Sequence, residues 1–152
     1  MCPTLSFKAV IKRIFLPYLY SIILLLWLSA CSSPVPNTDL KNTHWSLIEL
    51  RGQEVIHFDR HAPIHLLFHI NDTSIQGNDG CNKLKADYLK TQNKISFKNI
   101  ISTRRACEFG QEQSQNFLSV LQETDRLLIK EDEMFFYHKE VQIAHFEAKE
   151  DY

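Results

Sequence analysis

The stretch Ile64-His65-Leu66-Leu67-Phe68-His69-Ile70, followed by Asn71-Asp72 and Ser74-Ile75-Gln76-Gly77, decides how this chain folds. Ile64, Leu66, Phe68 and Ile70 alternate with His65, Leu67 and His69, the period of two that sends successive side chains to opposite faces of a strand. One face is apolar, so it is expected to be buried. Asn71-Asp72 suits a tight turn, because both residues tolerate unusual backbone angles and can hydrogen-bond their own main chain. An antiparallel pair is therefore expected from Ile64 to Gly77.

The same rhythm extends in both directions. Upstream, Trp45, Leu47 and Glu49 alternate with Ser46, Ile48 and Leu50 as far as a turn at Gly52. Downstream, Ile95 and Phe97 mark a strand leading to Ile100 and Ile101. Further strands are expected around 127–129, 134–137 and 141–148, the last two separated by His138-Lys139-Glu140. Residues 111–123 depart from this pattern: they contain no Pro or Gly, and Phe117, Val120, Leu121 and Thr124 recur at helical spacing with Leu118 beside them. About seven or eight strands and one helix imply an α+β fold that is mostly antiparallel β. A curled sheet or small open barrel, with the helix covering its open side, buries these faces most economically.

The amino terminus reads differently. Lys8, Lys12 and Arg13 precede an apolar run over 14–28, shorter than the roughly 20 residues of a bilayer-spanning helix and weakened by Pro17. The run ends in Leu28-Ser29-Ala30-Cys31, which resembles the lipobox read by lipoprotein signal peptidase. Residues 1–30 are thus expected to be a signal peptide and Cys31 the site of lipid attachment, anchoring the chain to a membrane. The Ser/Pro-rich segment within 31–42 would form a tether, 43–148 a single domain and 149–152 a tail. Ser32 stands where an aspartate would retain a Gram-negative lipoprotein at the inner membrane. For such a host, an outer-membrane, periplasm-facing location is implied.

Removing the signal takes three of seventeen basic residues and none of eighteen acidic ones, leaving fourteen against eighteen, a net charge of −4. That balance argues against nucleic acid as a partner. The domain is expected to be a monomer. Beyond Cys31 the mature chain holds Cys81 and Cys107, an even pair in an oxidising compartment, read as one disulfide, with two buried free thiols as the alternative. Closing a loop of about 25 residues would stabilise the fold by roughly 3 kcal/mol.

Gly77-Asn78-Asp79-Gly80-Cys81-Asn82 with Tyr88, followed by Thr103-Arg104-Arg105-Ala106-Cys107, resembles the META domain of the HslJ-like heat-shock lipoproteins. Trp45, the Leu50-Arg51-Gly52 turn, Phe117-Leu118 and a closing strand through Phe146 follow the same order, so the resemblance covers 43–148. It implies the mixed β fold, the disulfide, structural roles for Gly80, Asn82, Tyr88, Thr103 and Ala106, and an association with envelope stress. Two positions depart from the family pattern. Ala86-Asp87 replaces the usual glycine before the tyrosine, and Arg105 takes the place of a methionine.

The sequence offers no nucleophile with a base, placed carboxylate pair or phosphate loop, so neither an enzyme nor a cofactor is expected. Gly77-Asn78-Asp79-Gly80 lacks the acidic ligand series of a calcium loop and reads as a turn. Trp45, Tyr88, Phe135 and Tyr137 are expected in the core. The resulting expectation is a non-enzymatic envelope lipoprotein that supports stress tolerance by binding another envelope component, protein or lipid. The alternatives are an inhibitor of a secreted hydrolase such as lysozyme, or a pilotin-like carrier of an apolar peptide or lipid. His57, His61, His65 and His69 recur every four residues, which on a helix would stack imidazoles for a metal. Pro63 and the strand alternation break that stack, leaving His65 and His69 on one strand face. Zinc titration should leave the stability and the histidine NMR shifts unchanged; joint shifts of His65 and His69 would establish a metal site instead.

Overall fold

The computed structural model describes residues 38–58, 62–105 and 107–149. The expected signal peptide, Cys31 and residues 32–37 lie outside the described residues, as do His61, Ala106 and 150–152. Nine strands form one antiparallel sheet: β1 (His44–Leu50), β2 (Gln53–Glu54), β3 (His65–Phe68), β4 (Ser74–Asn78), β5 (Lys83–Thr91), β6 (Lys94–Ser102), β7 (Arg126–Lys130), β8 (Glu133–His138) and β9 (Val141–Lys149). Helix α1 (Gln111–Glu123) lies between β6 and β7 in sequence. β9 pairs back onto β1, so the sheet curls into a ring, while β2 pairs only with the end of β1.

The ring is not a barrel. β6 and β7 meet at a single register pair, Lys94 opposite Arg126, flanked by Ile95 N–H donating to Asp125 O at 3.0 Å and Leu127 N–H donating to Asn93 O at 2.8 Å. Among the described residues, the rest of β6 has no strand partner on that side, and α1 packs against it. Ser114, Phe117, Val120 and Leu121 form the buried stripe of α1, and Phe117 meets Phe146 edge-on at 6.2 Å. Thr124 ends the helix by turning its hydroxyl back to Val120 O at 2.7 Å. The expected α+β fold, mostly antiparallel with one covering helix, is what the chain adopts.

Alternation alone does not account for the core, because extra residues reset its phase. In β1 the register shifts between Leu47 and Glu49, so Ile48 is the extra residue and Leu50 joins Trp45 and Leu47 inside. Strict alternation would have turned Leu50 away from them. In β9 the partner of Phe136 is Ala144 and that of Tyr137 is Gln142, which leaves Ile143 and Ala144 both buried. Such bulges bend and twist a strand, as closing a short ring requires. Inside, Phe68 meets Tyr88 at 5.1 Å, and Phe136 lies 5.4 Å from Phe97 and 4.9 Å from Phe146.

Several sequence expectations are corrected here. β5 was not expected as a strand, although Leu84, Ala86 and Tyr88 alternate inward along it. Ile70 leaves β3 and is exposed. Phe135 and Tyr137 are half-buried and outside the core: Phe135 stacks on His145 at 4.4 Å, and Tyr137 lies under the Arg126 guanidinium at 4.2 Å. Residues 38–43, assigned to the tether or the domain edge, pack on the domain. Leu40 is buried, its carbonyl accepts the Trp45 indole N–H at 3.0 Å, and Thr38 N–H donates to Glu131 O at 2.7 Å.

β3 and β4 approach so closely that only glycine fits at position 77. A Cβ there would stand 2.0 Å from the His65 carbonyl oxygen, whereas at Gly52, with φ +77°, it would meet nothing within 4 Å. Gly77→Ala should therefore lower the unfolding free energy by about 3 kcal/mol, and Gly52→Ala by about 1 kcal/mol from backbone strain alone. Urea denaturation of both variants checks this, and equal losses would contradict the close approach.

Candidate functional site

The ring has two chemically distinct ends. One carries the arriving chain: Thr38 bonds to the β7–β8 turn at Glu131, and the Lys41 ammonium caps Ile70 O at 3.2 Å and Asp72 O at 3.1 Å in the β3–β4 turn. The other end, beyond Leu50 and Asn78, gathers the Arg51-Gly52 turn, the 55–58 and 62–64 segments, the start of α1 and the disulfide-closed turn. Antiparallel strands force this division, since every second connection returns to the same end.

At the second end, the motif residues form one hydrogen-bonded unit. Cys81 and Cys107 are disulfide-bonded, with Cα atoms 6.0 Å apart across 26 positions of sequence. Asp79 is wholly buried beside them. One of its oxygens accepts the N–H of Cys81 at 3.0 Å and of Asn82 at 2.6 Å, and the other accepts the Ser102 hydroxyl at 2.6 Å. Asn82 Oδ1 in turn accepts the Arg105 N–H at 2.8 Å and the Thr103 hydroxyl at 3.3 Å, and Thr103 Oγ1 accepts the Lys83 N–H at 3.2 Å. The side chains thus reinforce the last backbone bond, Thr103 N–H to Lys83 O at 3.1 Å, where β5 and β6 run out. Gly80 has φ +91°, and a Cβ on it would come within 3.0 Å of Ile64 Cγ1.

Among the expected motif residues, Gly80, Asn82, Thr103, Cys81 and Cys107 thus come together, while Tyr88 belongs to the core. Arg105 is exposed, consistent with a charge where the family carries an apolar side chain. The central member, Asp79, was read only as a turn residue. Its signal was present in the sequence as an aspartate immediately before a glycine, the arrangement in which a short acidic side chain caps its own turn. Ser102 carried no local signal, since its partner lies 23 residues away.

Beside this unit runs a groove. Its larger part, about 440 Å³, lies between Leu50, Arg51, Gln53 and Glu54 on one side and Gly110, Glu112, Gln113 and Asn116 on the other. A smaller part of about 210 Å³ continues past Pro63 and Ile64 to Gly80, sharing Ile56, Phe58, Gly110 and Gln113. The 55–58 segment is held by the Gln113 side chain, whose Oε1 accepts the Ile56 N–H at 2.9 Å and whose Nε2 donates to Ile56 O at 3.0 Å. Phe58 stacks on Phe109 at 6.1 Å, and Gly110, at φ +78°, leaves room for the Phe58 ring. The Ile56 side chain itself is 63% exposed at the rim.

Arg51 fixes the far wall by bonding Glu123 at 2.7 Å. That guanidinium, with the Ser119 hydroxyl, holds the Glu123 carboxyl below the usual carboxylate range. The groove therefore combines a few apolar side chains, Leu50, Ile56 and Phe58, with amide and charged ones, an arrangement suited to holding an extended polar segment or a side chain.

The described histidines of the series, His57, His65 and His69, do not converge. His57 is exposed, and His65 opens β3 whereas His69 lies beyond its end. His65 instead approaches His44 on β1, with ring centroids 5.0 Å apart, and its Nδ1 lies 2.9 Å from Pro63 O. Burial pushes the His65 imidazole below its ordinary pKa, opposed by the bond to Pro63 and reinforced by His44. Among the described residues, no three His, Cys, Asp or Glu side chains cluster as a metal site would require.

Truncating Asp79 would strand two backbone N–H groups in a half-buried turn and leave the Ser102 hydroxyl with only the longer bond to Thr103 O. Asp79→Ala should cost about 3 kcal/mol or more, while Asp87→Ala, on the exposed face of β5, should cost under about 1 kcal/mol. Thermal and urea unfolding measure both; similar small losses would show that Asp79 does not organise the turn.

The fold and the motif agree with comparisons to known proteins. Two solved structures share the architecture. An NMR structure of a protein from Burkholderia xenovorans superposes with a TM-score of 0.62 at 23% identity, covering 80% of this chain and 94% of the other. A second NMR structure superposes with a TM-score of 0.56 at 17% identity, covering 70% and 89%. No curated protein matches the chain. The META domain family profile matches residues 38–151, which spans every described strand, the helix and the disulfide-closed turn, and so this chain belongs to the META domain family.

Proposed function

We propose that this chain is a non-enzymatic lipoprotein of the outer membrane, facing the periplasm and tethered through Cys31, that supports envelope stress tolerance by binding another envelope component in the groove beside the disulfide. The META family is not known as an enzymatic one. The observation that carries the reading is the polarity of the ring. The chain arrives at Thr38, beside the Glu131 turn, and the groove lies at the opposite end, past Leu50 and Gly80. An anchor upstream of Thr38 would thus join the domain at the end away from the groove and leave the groove clear of the tether. The two-bond Gln113 clamp on Ile56 favours binding as well, because a site already held in place loses little entropy when it takes a ligand.

A photoreactive residue at Ile56 in the full-length chain tests the reading in cells, with Val141, equally exposed on β9, as the control. The groove position should capture a specific partner and Val141 should not, and Cys31→Ala should release the chain from the membrane fraction and reduce capture. Identical species from both positions, or none in resting and heat-stressed cells, would overturn it. Capture of a secreted hydrolase would replace it with the inhibitor reading.

A further inference from the structure

The charge of this domain is segregated. From Lys83 to Arg105 the chain carries seven basic residues and a single acid, Asp87, whereas from Cys107 to Lys149 it carries four basic residues and nine acids. Register turns this asymmetry into a surface. Leu84, Ala86 and Tyr88 of β5 and Ile95 and Phe97 of β6 point inward, so Lys83 and Lys85 of β5 and Lys94 and Lys98 of β6 share the outer wall of the ring. Ile101, directly across from Lys85, is 67% exposed on that wall, and Leu89 is 56% exposed. Asp87 is engaged by the Asn99 amide at 2.7 Å, which softens the one opposing charge. Arg104 and Arg105, both exposed, extend the basic surface toward the disulfide.

We infer that the outer wall of the β5–β6 hairpin is a docking surface for an anionic lipid bilayer. Charge complementarity selects an anionic partner, and the pairing of isolated aliphatic tips with lysines selects a bilayer. Lysine stems reach toward headgroup phosphates while Ile101 and Leu89 enter the boundary between headgroups and acyl chains. Each such lysine contributes about as much as a fivefold change in membrane affinity. The inference uses the lipid-anchored reading for proximity alone: six residues separate Cys31 from Thr38, a reach of about 25 Å when extended. It is independent of what the groove binds.

The test uses the full-length chain carrying a photoreactive residue at Ile101 or, as control, at Val141, reconstituted in phosphatidylcholine vesicles with or without phosphatidylglycerol. Position 101 should cross-link to lipid when phosphatidylglycerol is present. That signal should fall roughly 25-fold in K85Q/K98Q and also fall in high salt, and Val141 should not label. Circular dichroism confirms that K85Q/K98Q is folded. The fraction of chain sedimenting with the vesicles reports anchoring separately, so loss of the wall contact is distinguishable from loss of the anchor. Labelling at 101 that ignores phosphatidylglycerol, or that equals Val141, would overturn the inference. So would capture at 101, in intact cells, of an acidic protein in place of lipid.

Discussion

Pairing of β9 with β1 brings the two ends of the described chain together, with His44 opposite Lys149 and Leu50 opposite Ala144. Every other feature of the domain depends on that contact. Without it β1 and β9 would be open edges, and a sheet of this length with open edges invites pairing with other chains. Closure also costs something specific: strands must bend to meet, and the extra residues in β1, β6 and β9 supply the bend. The partners lie about a hundred residues apart, so the contact forms against a large loop-closure entropy and pushes folding toward the slow end for a domain of this size.

The place where closure is weakest is also where the domain is most individual. β6 and β7 share one register pair, and the gap is filled by α1, whose Phe117 reaches the core from outside the sheet. Because α1 must start near the end of β6, residues 103–105 and 107–110 lie at the ring end that carries the Asp79 turn. The disulfide and the Asn82 and Thr103 side chains hold them down. The groove is a consequence of the same arrangement. It occupies the space between the β1–β2 turn and the helix that covers the gap, and Gln113 fixes its wall by binding backbone instead of solvent.

Much of this was legible in the chain. Period-two alternation located most of the strands and the 3.6-residue spacing located the helix, because burial of one face imposes those periods directly on the sequence. The two spaced motifs located the disulfide-closed turn. β5 escaped because its inward residues include Ala86 and its outward ones are mostly charged, so hydrophobicity rises and falls too weakly to stand out. Phe135 and Tyr137 were placed inside on apolarity alone. Their neighbours, His145 and Arg126, offer an outer face where an aromatic ring can stack.

The class of fold, the covering helix, the cysteine pair and the family are readable from the chain, since each depends on residues close in sequence or on a motif of fixed spacing. Whatever required distant residues to meet came from packing in three dimensions. It closed β1 on β9, reset the alternation so that Leu50 and Ile143 turned inward, and buried Asp79 under the Ser102 hydroxyl. It also set the groove at the end away from Thr38 and gathered the lysines of one hairpin onto one wall. Local periodicity records which face of a strand is buried but carries no information about which strands become neighbours, because register and closure are set by packing across the whole ring.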